Sequence, residues 1–152
     1  MTQPLLDVTD LRVRIGAGDA AIRPVDGVSL RIRRGETFAL LGESGCGKSM
    51  TALALLRLLP QPAGQITGGS VMLDGEELLA LPETGMRSVR GGRIAMIFQE
   101  PMTSLNPVMT VGAQIEESLQ QHQGLRGAVA RQRVLELLDA VGIPDAERRY
   151  GE

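Results

Sequence analysis

The segment that most constrains the fold of this chain is a glycine-rich octapeptide, Gly42-Glu-Ser-Gly-Cys-Gly-Lys-Ser49. It follows the apolar run Thr37–Leu41 and precedes strong helix formers that extend from Lys48 to Leu59. A glycine, four residues, a second glycine, a lysine and a serine, placed between a strand and a helix, are typical of a phosphate-binding loop. The pattern predicts a buried strand over 37–41, a buried helix over 48–59 and an anion-binding loop between them.

The residue types of this glycine-rich loop (residues 42–49) indicate its chemistry. Its three glycines let the backbone curl, so that successive N–H groups and the helix N-terminus point at phosphate oxygens. Lys48 is the only lysine among 16 Lys and Arg residues, and its compact ammonium suits the β- and γ-phosphates. The Ser49 hydroxyl suits Mg²⁺. The predicted nucleotide-binding residues are Gly42, Glu43, Ser44, Gly45, Cys46, Gly47, Lys48, Ser49 and Met50. The alternative is a glycine turn that only caps a helix.

The remaining strand signals are alternating or apolar runs. Residues 5–34 alternate apolar and polar side chains around turn-prone Gly16–Asp19, which predicts two antiparallel strands. Residues 68–81 predict a hairpin that turns at Asp74-Gly75 and returns over Glu76–Leu79. The continuous apolar run Ile94–Phe98 predicts a second strand buried on both faces.

Helical patterns occur mainly in the second half. Residues 82–92 predict a short helix and a loop, and two longer helices are expected over Val111 to about Gln123 and over Ala128–Val141. The last of these places apolar side chains at helical spacing. Its predicted buried residues are Val134, Leu135, Leu138 and Val141.

Composition excludes several classes of protein. A chain of 152 residues with 43% hydrophobic residues is sufficient for one modest domain. The net charge of −2 argues against a nucleic-acid binder, and no apolar stretch approaches the roughly 20 residues of a membrane span. The N-terminus lacks the features of a signal peptide, and the single cysteine, Cys46, cannot form an internal disulfide. These features predict a cytoplasmic protein that binds no nucleic acid and does not insert directly into a membrane.

The loop alone could belong to a kinase, a GTPase or a transport ATPase, and residues further along favour the last. The stretch Gly92–Val111, with Phe-Gln-Glu-Pro-Met-Thr-Ser-Leu-Asn-Pro at its centre, resembles the Q-loop region of ABC transporter ATP-binding subunits. It is most similar to the oligopeptide, dipeptide and nickel importer branch. Val25–Leu30 and Arg34-Gly-Glu36 resemble the same group, in which the glycine-rich loop is the Walker A motif.

The resemblance implies an α/β fold, that of the P-loop NTPase core of an ABC ATPase. It has an antiparallel β subdomain and the start of a helical subdomain, truncated before the signature motif. The antiparallel β region is expected at 1–35 and 64–81, the nucleotide-binding core at 36–60 and 93–99, and the start of the helical subdomain at 108–152. Residues 1–152 would then be the N-terminal part of one nucleotide-binding domain.

The resemblance also implies roles for residues outside the glycine-rich loop. Gln99 matches the family's glutamine that contacts Mg²⁺ and the attacking water, so it is both a catalytic residue and a metal ligand. Ile15 lies where the family has an aromatic residue that stacks on adenine, and the lost stacking is worth on the order of 0.5 to 1.5 kcal/mol. The loop 99–109 would dock on a permease subunit through its apolar side chains, which are Met102, Leu105, Pro107 and Met109.

The implied function is that of an ATP-binding subunit that uses ATP and Mg²⁺ to drive uptake of peptides or nickel. It would be peripheral on the inner face of the cell membrane and paired with a second ATP-binding subunit, as a homodimer or heterodimer. The sequence lacks the Leu-Ser-Gly-Gly signature, an apolar strand ending in Asp-Glu (Walker B) and the later switch histidine. The chain alone is therefore expected to be inactive. A truncated, non-catalytic nucleotide-binding or docking fragment is the alternative, and a small nucleotide kinase is a weaker one.

Overall fold

A four-stranded antiparallel sheet organises residues 1–90, and helices organise residues 91–152; each range is a compact unit of its own. The computed structural model describes residues 3–98 and 105–152. The strands of the first unit are β1 (Leu6–Ile15), β2 (Ile22–Ile32), β3 (Gly64–Leu73) and β4 (Glu76–Glu77). Their order is β2-β1-β3-β4, so β1 is paired on both sides. The two antiparallel strands expected between residues 5 and 34 are confirmed.

The alternation of β1 determines which of its side chains form the core. Leu11 and Val13 are fully buried, whereas Arg12 between them is exposed. The first helix, α1 (Lys48–Leu55), contacts β1 and β2 and buries Thr51 and Ala54. Burial of this aliphatic face against the helix is the main stabilising term available to a unit with so few aromatic residues.

The predicted hairpin forms, but its strands have different lengths from those expected. Asp74 and Gly75 both adopt positive φ, at 51° and 83°, as a type I′ turn requires. The returning strand β4 holds two residues only, and a 3₁₀ turn follows at Leu78–Ala80. The Glu77 carboxylate accepts hydrogen bonds from the Val71 and Leu79 N–H groups at 3.0 and 3.1 Å. This side chain holds the bend that ends the strand.

Helix α1 ends four residues before its predicted end at Leu59, and it is only partly buried. Arg57 adopts a left-handed conformation with φ of 54°, which an α-helix cannot contain. Its guanidinium donates to the Leu81 and Leu78 carbonyls at 2.5 and 3.4 Å. The helix is therefore ended by Arg57, before the chain reaches Pro60.

The two apolar runs predicted as buried strands, Thr37–Leu41 and Ile94–Phe98, are not strands in the described structure, so this prediction is wrong. A strand needs a hydrogen-bonded neighbour, and neither run is part of the sheet. Leu41 is 87% exposed and Ile97 is 96% exposed. By contrast, the short helix expected between 82 and 92 is confirmed as α2 (Glu83–Val89).

In the second unit, the described residues form α3 (Val111–Gln123), α4 (Gly127–Ala140) and α5 (Ala146–Tyr150). The first two match the predicted helices, whereas α5 was not predicted. Their core contains the buried residues Leu119, Val134, Leu138 and Ala146, with Leu135 partly buried against them.

The prediction that Val141 is buried is wrong, because this residue is 72% exposed. Helix α4 ends in a Schellman motif, in which Gly142 and Ile143 donate to the carbonyls of Asp139 and Leu138. The resulting turn, with Gly142 at φ of 75°, removes Val141 from the helical face. Ile143 packs against the core cluster instead.

Candidate functional site

The glycine-rich loop leads directly into α1. Gly47 is the N-cap of the helix with φ of 93° and ψ of 3°, and Lys48 is its first residue, as the sequence predicts. The first N–H groups of an α-helix have no acceptor within the helix, so those at the start of α1 are available to an anion. Thr51 follows one turn later, and its hydroxyl donates to the Gly47 carbonyl at 3.0 Å.

The loop glycines are required for different reasons: space at Gly42, backbone conformation at Gly45, and both at Gly47. A Cβ on Gly42 would lie 2.5 Å from the Cys46 sulfur. A Cβ on Gly47 would clash with the carbonyl oxygen of Pro24 in β2, well inside van der Waals contact. Gly45 has a positive φ of 82° but open space around it. The loop thus lies close against β2, a contact that the sequence alone did not indicate.

The Lys48 ammonium is held inside the curve of the loop. Its Nζ donates to the Gly42 and Glu43 carbonyls at 2.7 and 2.6 Å, and the Cys46 sulfur lies 3.6 Å away. A lysine ammonium carries three donors. The chain therefore places a positively charged ammonium group, held by two loop carbonyls, next to a free helix N-terminus. This combination favours an anion with several oxygen atoms.

The other predicted nucleotide-binding residues differ in exposure. Glu43, Ser44, Cys46 and Ser49 are exposed, whereas Met50 is half-buried. Because Ser49 is in the first turn of α1, its hydroxyl is a hard oxygen donor at the same helix end as the lysine. Mg²⁺ is usually bound through one or two protein ligands together with phosphate oxygens. The donors present fit a magnesium–nucleotide complex, and their assignment remains a prediction.

Ile15 is the last residue of β1, and it pairs with Ile22 and Gly64. It follows Leu11 and Val13 at a spacing of two, so it lies on the face of the sheet that α1 covers. Its Cδ1 atom lies close to Gly64, since a Cβ added there would be 3.3 Å away. Ile15 is half-buried and could cover an apolar ring, but it has no aromatic face to offer.

Two of the predicted functional residues, Gln99 and Met102, lie outside the described residues. Within the segment 105–109, which the structure describes, Leu105, Pro107 and Met109 are all exposed. Val108 is 88% exposed, and no sequence pattern marked it as functional. Asn106 and Gln114, whose hydrogen bonds shape this segment, were also missed. The only sequence signal was Thr110, a good N-cap residue, which accepts from the Ala113 N–H at 3.2 Å.

A second concave surface has a volume of 680 Å³. It is bordered by the residues that follow α1, by β3 and by α2. Its charged groups already have partners within the first unit. Arg90 donates to both oxygens of Glu83 and to the Leu56 carbonyl, and Arg57 donates to the Leu81 and Leu78 carbonyls. The Arg90 guanidinium holds the pKa of Glu83 below its usual range. The bond from Arg90 to the Leu56 carbonyl connects the end of α2 to the end of α1.

Residues 3–98 and 105–152 contain no group of three or more His, Cys, Asp or Glu side chains arranged to hold a metal ion. No helix in the same ranges has the length and apolar character needed to cross a membrane.

Comparison with known proteins gives close sequence relatives over nearly the whole chain. A peptidoglycan transport ATP-binding protein of Agrobacterium fabrum is 54% identical over 148 residues, which are 97% of this chain and 27% of that protein. A putative peptide import ATP-binding protein of Brucella abortus is 50% identical over 151 residues, 99% of this chain and 45% of that protein. The chain thus spans less than half the length of these relatives.

Solved structures confirm the expected fold class. The ATP-binding cassette MJ0796, in a dimeric post-hydrolysis state bound to ADP and Pi, matches with a TM-score of 0.81 at 23% identity, over 97% of this chain and 60% of that one. The ATP-binding subunit of an ABC transporter matches with a TM-score of 0.62 at 26% identity, over 97% and 53%. The family model for ABC transporters matches residues 25–152. The chain therefore belongs to the ABC transporter family and has the fold of part of its ATP-binding cassette.

Proposed function

We propose that the chain is the nucleotide-binding part of a subunit that couples the binding and hydrolysis of ATP to peptide uptake. The observation that carries this proposal is the placement of Lys48. Its ammonium is fixed by two loop carbonyls beside the free N–H groups at the start of α1. The relatives named for peptide and peptidoglycan transport support a peptide solute. Nickel, the other solute of the branch, has no such support.

Each residue of the glycine-rich loop has a definite task in this proposal. Backbone N–H groups from Gly45 to Ser49 bind phosphate oxygens, and Lys48 neutralises the β- and γ-phosphates. Ser49 and Gln99 each supply one protein ligand to Mg²⁺. Gln99 also orients the attacking water. ATP with Mg²⁺ supplies the phosphoryl group whose hydrolysis drives transport. Ile15 covers the adenine with an aliphatic side chain.

The proposed partners are permease membrane subunits and a second ATP-binding subunit, either identical or homologous. The permeases would be contacted by the loop 99–109, whose described residues include three exposed apolar side chains, Leu105, Val108 and Met109. This arrangement places the protein on the cytoplasmic face of the membrane. The division into an antiparallel β region, a nucleotide-binding core and a helical subdomain belongs to the same proposal.

A second candidate is a nucleotide-binding or docking fragment without catalytic activity. The observation in its favour is the exposure of the apolar runs 37–41 and 94–98, which are buried strands in the first hypothesis. Both candidates require ATP binding at the glycine-rich loop, and they differ in turnover by the chain on its own.

The proposal is tested by calorimetric titration of the full-length subunit with Mg-ATP. Replacing Lys48 by alanine should abolish measurable binding, because the phosphates lose their only lysine. Arg126→Ala removes an exposed cation that follows α3, so it changes the net charge equally and should leave affinity unchanged. Mg-ATP should also slow alkylation of Cys46 by a maleimide in the unmodified protein. Undiminished ATP binding by Lys48→Ala would refute the proposal.

A further inference from the structure

The segment that leads into α3 has an ordered shape although it contains no helix or strand. Residues 105–110, which we call the apolar turn, expose Leu105 by 51%, Val108 by 88% and Met109 by 37%. An irregular segment lacks the backbone hydrogen bonds of a helix or strand, and its backbone groups could bond to water instead. Other hydrogen bonds are therefore needed to fix the positions of these exposed apolar side chains.

The side chain of Gln114, one turn into α3, makes these hydrogen bonds. Its Oε1 accepts from the Asn106 N–H at 2.9 Å, and its Nε2 donates to the Asn106 and Met109 carbonyls, both at 3.2 Å. A single amide thus bonds three backbone groups at both ends of the apolar turn. Glutamine suits this role because it is both donor and acceptor, whereas glutamate offers acceptors only.

Asn106 completes the arrangement from within the turn. Its Oδ1 accepts from the Val108 N–H at 3.1 Å, and its carbonyl also accepts from the Met109 N–H at 3.2 Å. Thr110 then caps α3. The backbone that carries Val108 and Met109 is therefore connected through Asn106 and Gln114 to the first turn of a helix whose later residue Leu119 is in the core.

We propose that Gln114 is a positioning residue for permease docking, which holds the apolar turn in the shape that presents Leu105, Val108 and Met109 to the membrane subunit. This inference rests on the proposed docking function of the loop 99–109. It adds a residue that lies outside that loop and touches no partner itself. Its loss should weaken docking while nucleotide binding at the glycine-rich loop is unchanged.

The experiment compares Gln114→Met with Gln121→Met in the full-length subunit, alone and assembled with its permease. Methionine keeps the volume and helix propensity of glutamine and removes all three hydrogen bonds. Gln121 is an exposed residue of the same helix and serves as the matched control. Amide hydrogen exchange by NMR reads the bond to the Asn106 N–H, and a photo-crosslinking amino acid in place of Val108 reads contact with the permease.

For Gln114→Met we expect exchange of the Asn106 and Val108 amides to rise about tenfold and the crosslink yield to fall several-fold. ATP affinity and unfolding temperature should match those of Gln121→Met. Unchanged amide exchange would overturn the positioning role. Faster exchange with an undiminished crosslink would overturn its importance for docking. Failure of the unmodified turn to crosslink at all would instead refute the docking proposal on which this inference rests.

Discussion

Gly47 shows how one residue connects the glycine-rich loop to the sheet. It combines a positive φ, the N-cap position of α1 and a close approach to the Pro24 carbonyl. The sequence motif predicted a glycine here because of the loop's curvature. It could not predict the contact with Pro24, since that contact depends on the position of β2 in space. The sequence therefore predicted the glycine at this position, but not the contact that requires it.

Alanine substitutions at two loop glycines separate backbone strain from steric conflict. Gly45→Ala adds a side chain at positive φ in open space, so it should cost about 1–2 kcal/mol of unfolding free energy. Gly47→Ala adds the same strain and a clash with the Pro24 carbonyl, and should cost about 2–5 kcal/mol. Urea denaturation of the full-length subunit measures both. Equal costs would show that the loop does not press against β2.

At the scale of elements, the sequence predicted helices more accurately than strands. Helix α3 matches its predicted range because Thr110 caps one end and Gly124, with φ of 68°, caps the other. The backbone hydrogen bonds of a helix form between residues close in sequence, so capping residues are sufficient to predict where the helix begins and ends. The runs 37–41 and 94–98 are apolar enough for buried strands, but a strand depends on neighbours that a local pattern cannot supply. The two antiparallel strands β1 and β2 were predicted correctly because the turn that connects them makes each the neighbour of the other.

Helix α5 depends on Tyr150, the only tyrosine in the chain. Its hydroxyl donates to the Glu116 carboxylate at 2.7 Å, and the Arg131 guanidinium lies 5.2 Å from its ring centroid. The ring also lies against Gly112, where a Cβ would be 2.5 Å from it. Tyr150 thus contacts both longer helices. No local sequence pattern predicted this helix of five residues, because the residues that Tyr150 contacts, Glu116 and Arg131, are distant in sequence.

The environment of Tyr150 predicts an alkaline titration with a clear sign. The hydrogen bond to Glu116 raises the pKa of the phenol above its ordinary value of about 10. The stability that this bond contributes is therefore present below that value and is lost as pH rises through the higher pKa of the folded state. Glu116→Gln removes the negative charge, so the phenol should ionise at lower pH. Glu117→Gln, at an exposed neighbour, should change little.

The titration of Tyr150 is read from absorbance at 295 nm as the difference between the full-length subunit and its Tyr150→Phe variant. The measurement is made on the folded protein, with circular dichroism recorded at each pH. A phenol that titrates at the same pH in the unmodified protein and in Glu116→Gln would contradict the bond between α3 and α5.

At the level of the complete chain, the main feature of residues 3–98 and 105–152 is their exposed apolar surface. In the first unit, Phe38, Leu40 and Leu41 are exposed by 42%, 42% and 87%; in the second, Ile97 and Phe98 are exposed by 96% and 46%. Soluble proteins rarely expose contiguous apolar segments that have no partner. The solved cassettes extend beyond the part that this chain matches, which is 60% of one of them.

We expect that the 152-residue chain on its own will not turn over ATP and will aggregate readily. Phosphoryl transfer depends on positioning and on charge stabilisation, and this sequence has neither a Leu-Ser-Gly-Gly segment nor an apolar strand that ends in Asp-Glu. Turnover should therefore be at least about a thousandfold below the roughly 1 s⁻¹ of an ordinary ATPase, although ATP binding by Lys48 can survive.

The exposed runs should bind the dye ANS strongly, whereas the full-length subunit should not. Lys48→Ala of the same chain measures the background of contaminating ATPases. A soluble monomer that hydrolyses ATP at about 1 s⁻¹ and loses that activity in Lys48→Ala would show that the chain is a complete enzyme and would refute the prediction.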